Sequence, residues 1–251
     1  MDGELPGGNM NAVVRVGDTV RRAAGPWTPT VHRYLEYLAA AGVDWAPKPL
    51  DIEGDTEILT FVKGDVPLYP LPDWVWTDAA LVDAARHLRQ LHDASIGFGM
   101  DRADFGSERT IWQSPSKIPA EVICHNDFAP HNLAFVAGQI VGAIDFDMCS
   151  PGPRIWDLAY LATRMVPLTD STGDGAPGEL QTRRRIQLLL DSYGSDVRWT
   201  EVVRIAIIRL RDLAVMSIAK SEELAKPQLA DDALLYERDA TYLEGVLAAL
   251  R

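Results

Sequence analysis

Asp127 and Asn132 lie five residues apart in His-Asn-Asp-Phe-Ala-Pro-His-Asn, and Asp145 follows thirteen residues later. Each acid comes straight after an apolar run: Val122-Ile123-Cys124 leads into the first motif, Val141-Gly142-Ala143-Ile144 into Asp145. A core does not call for carboxylates there, because a buried charge is costly unless it is paired or bound to a metal. The carboxylate and amide oxygens of Asp and Asn suit a hard dication such as magnesium. Phosphoryl transfer from a nucleotide needs such ligands, together with a carboxylate that orients the attacking hydroxyl. The spacing therefore points to metal-assisted phosphate chemistry. His125, Asp127 and His131 also make an H-x-D-x-x-x-H set that would suit zinc in a hydrolase, but that use leaves Asn132 and Asp145 without a role.

The elements around these residues can be read from periodicity. Residues 12–16 and 18–22 are β-like runs joined at Gly17-Asp18, a favourable hairpin turn, after a flexible Gly7-Gly8-Asn9 turn. Thr28 is expected to cap a helix with Pro29 at its first position, carrying Val31, Leu35 and Leu38 on one face and stopping near Gly42. Residues 48–53 and 57–62 read as strands split by Gly54-Asp55, so the first sixty residues run β-β-α-β-β. Thr77 can cap a helix bearing Leu81, Ala85, Leu88 and Leu91. Pro151-Gly152-Pro153 is expected to break the chain before a helix over 155–165, with a Gly-, Asp-, Ser- and Thr-rich loop over 169–178. Helices over 179–193, 200–221 and 230–250 close the chain, with Gly194 as a natural stop.

Three linked motifs carry a resemblance. His125-Asn126-Asp127 through Asn132 fits H-x-D-x-x-x-x-N, Ile144-Asp145-Phe146-Asp147 fits I-D-[FW]-[DE], and Pro151 to Ala159 fits [GP]-x-x-x-x-D-L-A. Their order and spacing resemble the protein-kinase signature, and more closely the aminoglycoside phosphotransferase family of the protein-kinase-like superfamily, which also includes choline and fructosamine kinases. The resemblance covers nearly the whole chain. It implies a bilobal α+β fold, with a nucleotide-binding β-rich N-lobe over 1–63 and a mainly helical C-lobe over 64–251. It implies ATP- (or GTP-) and magnesium-dependent transfer to a hydroxyl of a small molecule. Asp127 then accepts the substrate hydroxyl, Asn132 and Asp145 hold magnesium, and Asp157 braces the catalytic loop. His125 braces that loop too. The family's adenine hinge falls on the backbone of Thr60, Phe61 and Val62. The family's strand lysine is missing from Thr19-Val20-Arg21-Arg22; alternation sends one arginine inward, and Arg22 is the favoured phosphate contact. His32 stands where the partner glutamate is expected, with Glu36 a turn later. The glycine loop is reduced to Gly7-Gly8-Asn9. These departures keep open a second class, a catalytically silent nucleotide or metabolite binder.

The bulk numbers narrow the partners. With 36 acids against 24 bases, the net charge of -12 disfavours nucleic acid and anionic lipid as partners. It favours a cationic acceptor, such as an aminoglycoside, an amino sugar or choline, with Asp170, Asp174, Glu222, Glu223, Asp231 and Asp232 as candidate acids. No apolar run reaches the length of a membrane span, the N-terminus lacks a signal-like apolar stretch, and Cys124 and Cys149 show no zinc or disulfide spacing. A cytoplasmic location is expected. His87 and His92 read as packing or surface residues of a helix.

Overall fold

The computed structural model describes residues 3–5, 12–98, 110–169 and 181–248. The Gly7-Gly8-Asn9 turn and nearly all of the 169–178 loop, including Asp170 and Asp174, lie outside them. The described residues fall into two compact units. One is the chain up to Tyr69 with Arg86–Asp157, and the other is Pro70–Ala85 with the chain from Leu158. The N-lobe boundary expected near residue 63 lies within the first unit.

In the first unit, β1 (Gly3–Glu4), β2 (Val14–Val16), β3 (Thr19–Ala23), β4 (Pro49–Glu53) and β5 (Thr56–Thr60) form one antiparallel sheet in the order β1-β2-β3-β5-β4. Two-residue β1 was not expected from the sequence, since so short a run has no period. Gly17 turns the β2–β3 hairpin at φ 61°, where only glycine goes without steric cost. The register of β3 and β5 sets Arg22 opposite Glu57. The helix α1 (Thr28–Ala40) buries Val31, Tyr34, Leu35 and Leu38, the face its 3.6-residue period predicts. Thr28 is its first residue rather than its cap. The Thr28 hydroxyl accepts the Gly25 N–H at 2.9 Å, which leaves Trp27 at the cap position. The Tyr34 ring packs 5.1 Å from Phe98, 6.3 Å from Trp112 and 6.4 Å from Phe146, all centroid to centroid.

The chain leaving β5 is tied to the strand that follows Asn132. Asp65 and Phe135 exchange backbone hydrogen bonds of 2.8 and 2.9 Å. Two short two-stranded sheets follow: β6 (Val122–Cys124) pairs with β9 (Ser150–Gly152), and β7 (Leu133–Val136) with β8 (Gln139–Ala143). The expected break at Pro151-Gly152-Pro153 is instead partly strand. Pro151 lies opposite Ile123, and its carbonyl accepts the Lys117 N–H at 2.8 Å. A proline can occupy such a short edge because its missing N–H is not needed there. Gly142 on β8 allows a close approach: a Cβ there would press on Val62 and stand 2.7 Å from the Trp45 carbonyl oxygen.

Two helices contribute residues to both units: α2 (Asp78–Ser95) and α3 (Arg154–Met165). The Thr77 hydroxyl caps α2, accepting the Ala80 N–H at 3.2 Å. The second unit is completed by α4 (Thr182–Tyr193), α5 (Trp199–Leu224) and α6 (Gln228–Ala248). Gly194 ends α4 in the left-handed region. In the same unit, Asp78 accepts hydrogen bonds from Arg184 and Arg185, and the first of these chiefly holds its carboxyl below the ordinary range. The α+β class expected from the motifs is the one observed. No helix among the described residues is long and apolar enough to cross a membrane.

Candidate active site

The site is built from the ends of β6 and β8, and the loop after β6 is held from beneath. Asp157 is fully buried near the start of α3. It accepts the His125 N–H at 2.6 Å, the Asn126 N–H at 2.9 Å, and a 3.1 Å contact from His92 Nε2 on α2. Asn126 sits at φ 66°, a region that costs a non-glycine residue free energy. Its side chain donates to the Met148 carbonyl at 2.7 Å and to Ser150 Oγ at 2.8 Å, so the conformation is fixed from both sides. His125 is also fully buried, and burial lowers its pKa and keeps the ring neutral. Its Nδ1 accepts the Asp127 N–H at 3.3 Å, and Nε2 donates to the Ile144 carbonyl at 3.1 Å. Both nitrogens are thereby engaged, which removes the zinc reading of His125, Asp127 and His131. His92, Cys124 and Asp157 are close enough for a metal site, but the Asp157 oxygens are already taken by loop N–H groups, so the cluster is a brace. Sequence reasoning had set His92 aside as a packing residue, because its partner lies sixty-five positions away.

The three residues singled out for chemistry come together. Asn132 Nδ2 donates to Asp127 Oδ2 at 2.7 Å and to the Asp127 carbonyl at 3.0 Å. The Asn132 carbonyl accepts the N–H of Ile144 at 2.9 Å, the residue just before Asp145. Asp145 itself sits in the left-handed region at φ 63°. His131 Nε2 lies 3.4 Å from Asp127 Oδ1.

Arg22 also reaches this group. It is the inward arginine of β3, with a side chain 9% exposed, whereas Arg21 is 42% exposed and faces Glu53. Arg22 donates from Nε to Glu57 at 2.5 Å, from Nη1 to Asp145 at 2.8 Å, and from Nη2 to Asp147. His32 of α1 lies 3.0 Å from the other Glu57 oxygen. The glutamate expected from a helix is thus supplied by the neighbouring strand, and His32 reaches it from the helix. Glu57 was missed as a site residue because only the β3–β5 register reveals it. Burial would lower the Arg22 pKa, but Asp147, Asp145 and Glu57 outweigh it and raise the value. For Glu57, burial works upward, and hydrogen bonding from His32 with the charge of Arg22 brings the carboxyl below its usual range. Asp147 goes the other way: burial, then Asp145 and Glu57, push it up to about 7 against the pull of Arg22.

One guanidinium facing three carboxylates leaves an excess of negative charge. Together with the hard oxygen donors of Asp145, Asp147 and Asn132, this fits a divalent cation such as magnesium. The residues expected at the adenine edge, Thr60 to Val62, end β5 and follow it. Thr60 N–H is bonded to Lys48 O and Phe61 N–H to Asp18 O, both at 2.9 Å, and the Phe61 ring lies 3.7 Å from the Arg15 guanidinium.

Residues 101–189 match the phosphotransferase enzyme family. The chain is 31% identical over 201 residues to the trifolitoxin immunity protein of Rhizobium leguminosarum bv. trifolii, covering 76% of this chain and 73% of that one. In fold it is similar to an ethanolamine kinase of Plasmodium vivax, with TM-score 0.70 and 14% identity over 96% of this chain and 81% of the other. It is also similar to APH(2'')-IIIa in complex with GDP and kanamycin, with TM-score 0.62 and 14% identity over 96% and 93%. A family match spanning Asp127 and Asp145, joined by a relative 31% identical over most of both chains, settles the kinship: the chain belongs to the phosphotransferase enzyme family.

Proposed function

We propose that this phosphotransferase moves the terminal phosphoryl group of ATP or GTP to a hydroxyl of a small, cationic molecule. The observation that carries the reading is the linkage of Asp127, Asn132 and Asp145 through direct hydrogen bonds and one shared backbone contact. Asp127 orients the hydroxyl and takes its proton as the new O–P bond forms and the nucleoside diphosphate leaves. Asn132 and Asp145, with Asp147 beside them, would hold magnesium. Bound with the nucleotide, that ion would neutralise charge on the phosphates. Arg22 is the strand cation, and it must share its guanidinium between its carboxylates and the phosphates. The adenine edge is assigned to Thr60–Val62, chiefly through Val62 and the carbonyl groups, since the N–H groups of Thr60 and Phe61 are bonded within the sheet.

Relatives guide the choice of acceptor. One solved relative is an ethanolamine kinase and another holds kanamycin, so amino alcohols and aminoglycosides are the first classes to try. The immunity protein among the relatives adds a toxin or antibiotic as an acceptor. A catalytically silent binder is the second reading, favoured by the engagement of Arg22 with three acids. Titration of ATP and GTP with and without magnesium, followed by diphosphate release over the panel, separates the two. The kinase reading expects magnesium-dependent binding and acceptor-dependent release. Binding without turnover on any acceptor favours the silent binder.

A further inference from the structure

The two oxygens of Asp127 have different neighbours. Oδ2 is taken by Asn132 at 2.7 Å, on the side assigned to the metal. Oδ1 is the oxygen that His131 Nε2 approaches, at 3.4 Å. The ring is not free to wander. His131 sits inside a 3₁₀ turn between buried Pro130 and buried Asn132, closed by the Asn132 N–H to Ala129 carbonyl bond at 2.8 Å. The Tyr69 ring, at a centroid distance of 5.9 Å, backs the imidazole from the segment that follows Asp65.

The tautomer follows from the other ring nitrogen. His131 Nδ1 is buried and makes no hydrogen bond. An N–H buried without an acceptor is rarer and costlier than a bare lone pair. The ring therefore carries a hydrogen on Nε2, the nitrogen 3.4 Å from Asp127 Oδ1. A hydroxyl that gives its hydrogen to Oδ1 lies within reach of this Nε2–H as well, and its oxygen can accept from it.

From this we infer that His131 is an acceptor-positioning residue, holding the oxygen of the incoming hydroxyl between its Nε2–H and Asp127 Oδ1, with Tyr69 keeping the imidazole in plane. The inference rests on the phosphotransferase reading of Asp127. It also fixes the acceptor chemistry at this point: an alcohol or water oxygen that donates once and accepts once fits the gap, whereas an ammonium nitrogen, which cannot accept, does not. A cationic acceptor must therefore keep its charge away from His131.

The test uses the whole chain and two probes, ATP hydrolysis with water as the acceptor and phosphorylation of ethanolamine. The variants are His131→Ala, His131→Gln, Tyr69→Ala and Asp127→Asn. His131→Ala is expected to lower both rates about tenfold or more, as loss of orientation does, with ATP affinity by calorimetry and the thermal midpoint unchanged. His131→Gln, which keeps a side-chain N–H donor, is expected to recover most of the loss, and Tyr69→Ala to fall between. Parental rates in His131→Ala, or a Gln variant as slow as Ala, overturn the inference while an inactive Asp127→Asn leaves the phosphotransferase reading standing. Parental rates in Asp127→Asn, or no turnover of either probe by the parent chain, overturn that reading and this inference with it.

Discussion

At the scale of single residues, the site is a division of labour among carboxylates set by their neighbours. Asp127 is held by Asn132 and faces His131, Asp145 and Asp147 face Arg22, and Asp157 braces the loop backbone together with His92. Asp127→Asn should lower kcat by about 10² to 10⁴, the usual weight of a positioned base, with nucleotide affinity within a few-fold. Steady-state kinetics beside calorimetry checks it. Arg22→Ala leaves Glu57 buried at 1% exposure without its main cation, so it should cost about 3–5 kcal/mol as well as weaken ATP binding. Arg21→Ala removes only an exposed pair and should cost less than about 1 kcal/mol. Chemical denaturation and an ATP titration of both variants test the assignment, and equal effects would count against it. Asp147 gives a pH signature. Its pKa in the fold is raised to about 7, so its stabilising effect is full below the ordinary carboxylate range and fades as pH climbs through about 7. Asp147→Asn should flatten the metal-free decline in thermal midpoint between about pH 4 and pH 7. An unchanged slope would show that the burial of Asp147 is not the cause.

At the scale of elements, the chemistry-bearing segments were legible because motif and period coincide there. Asp127 and Asp145 each follow an apolar strand whose length and bounding polar residues are visible locally, Asn132 follows Asp127 at the motif spacing, and the amphipathic face of α1 is carried by its own period. What was not legible depends on long-range register or on a small local competition. Glu57 joins the site only because β3 pairs with β5 in one register. His92 joins because α2 and the start of α3 meet at Asp157. Thr28 gave its hydroxyl to Gly25 instead of capping α1, and Pro151 was accepted by a short strand because its carbonyl, not its absent N–H, is used. Gly142 illustrates how an element positions the site. A methyl there meets Val62 and the Trp45 carbonyl, so Gly142→Ala should cost about 1–3 kcal/mol as overpacking does. Because β8 carries the chain into Asp145, metal-dependent nucleotide binding should weaken in the same variant. Urea denaturation with a magnesium–nucleotide titration reads both, and a fully stable variant would show that the strand can shift at no cost.

At the scale of the whole molecule, the net charge of -12 bears on the proposed cationic acceptor. The described acids Glu222, Glu223 and Asp231 are exposed, and Asp232 is intermediate, with burial raising its pKa. Any pull these charges exert on a cationic acceptor is long-range and screened, with a Debye length of about 10 Å at 0.1 M salt and about 3 Å at 1 M. The account therefore expects kcat/KM for an aminoglycoside or amino alcohol to fall with salt while ATP affinity changes less; a flat response, or preference for neutral sugars, would contradict the cationic acceptor and leave the phosphotransferase assignment standing. The central claim is transfer of phosphate to a hydroxyl through Asp127. Phosphorus NMR of the chain with ATP, magnesium and the acceptor panel tests it most directly. The account predicts a new phosphomonoester signal from one acceptor with the parent chain and none with Asp127→Asn, and an ester formed equally by both, or by neither, would contradict it.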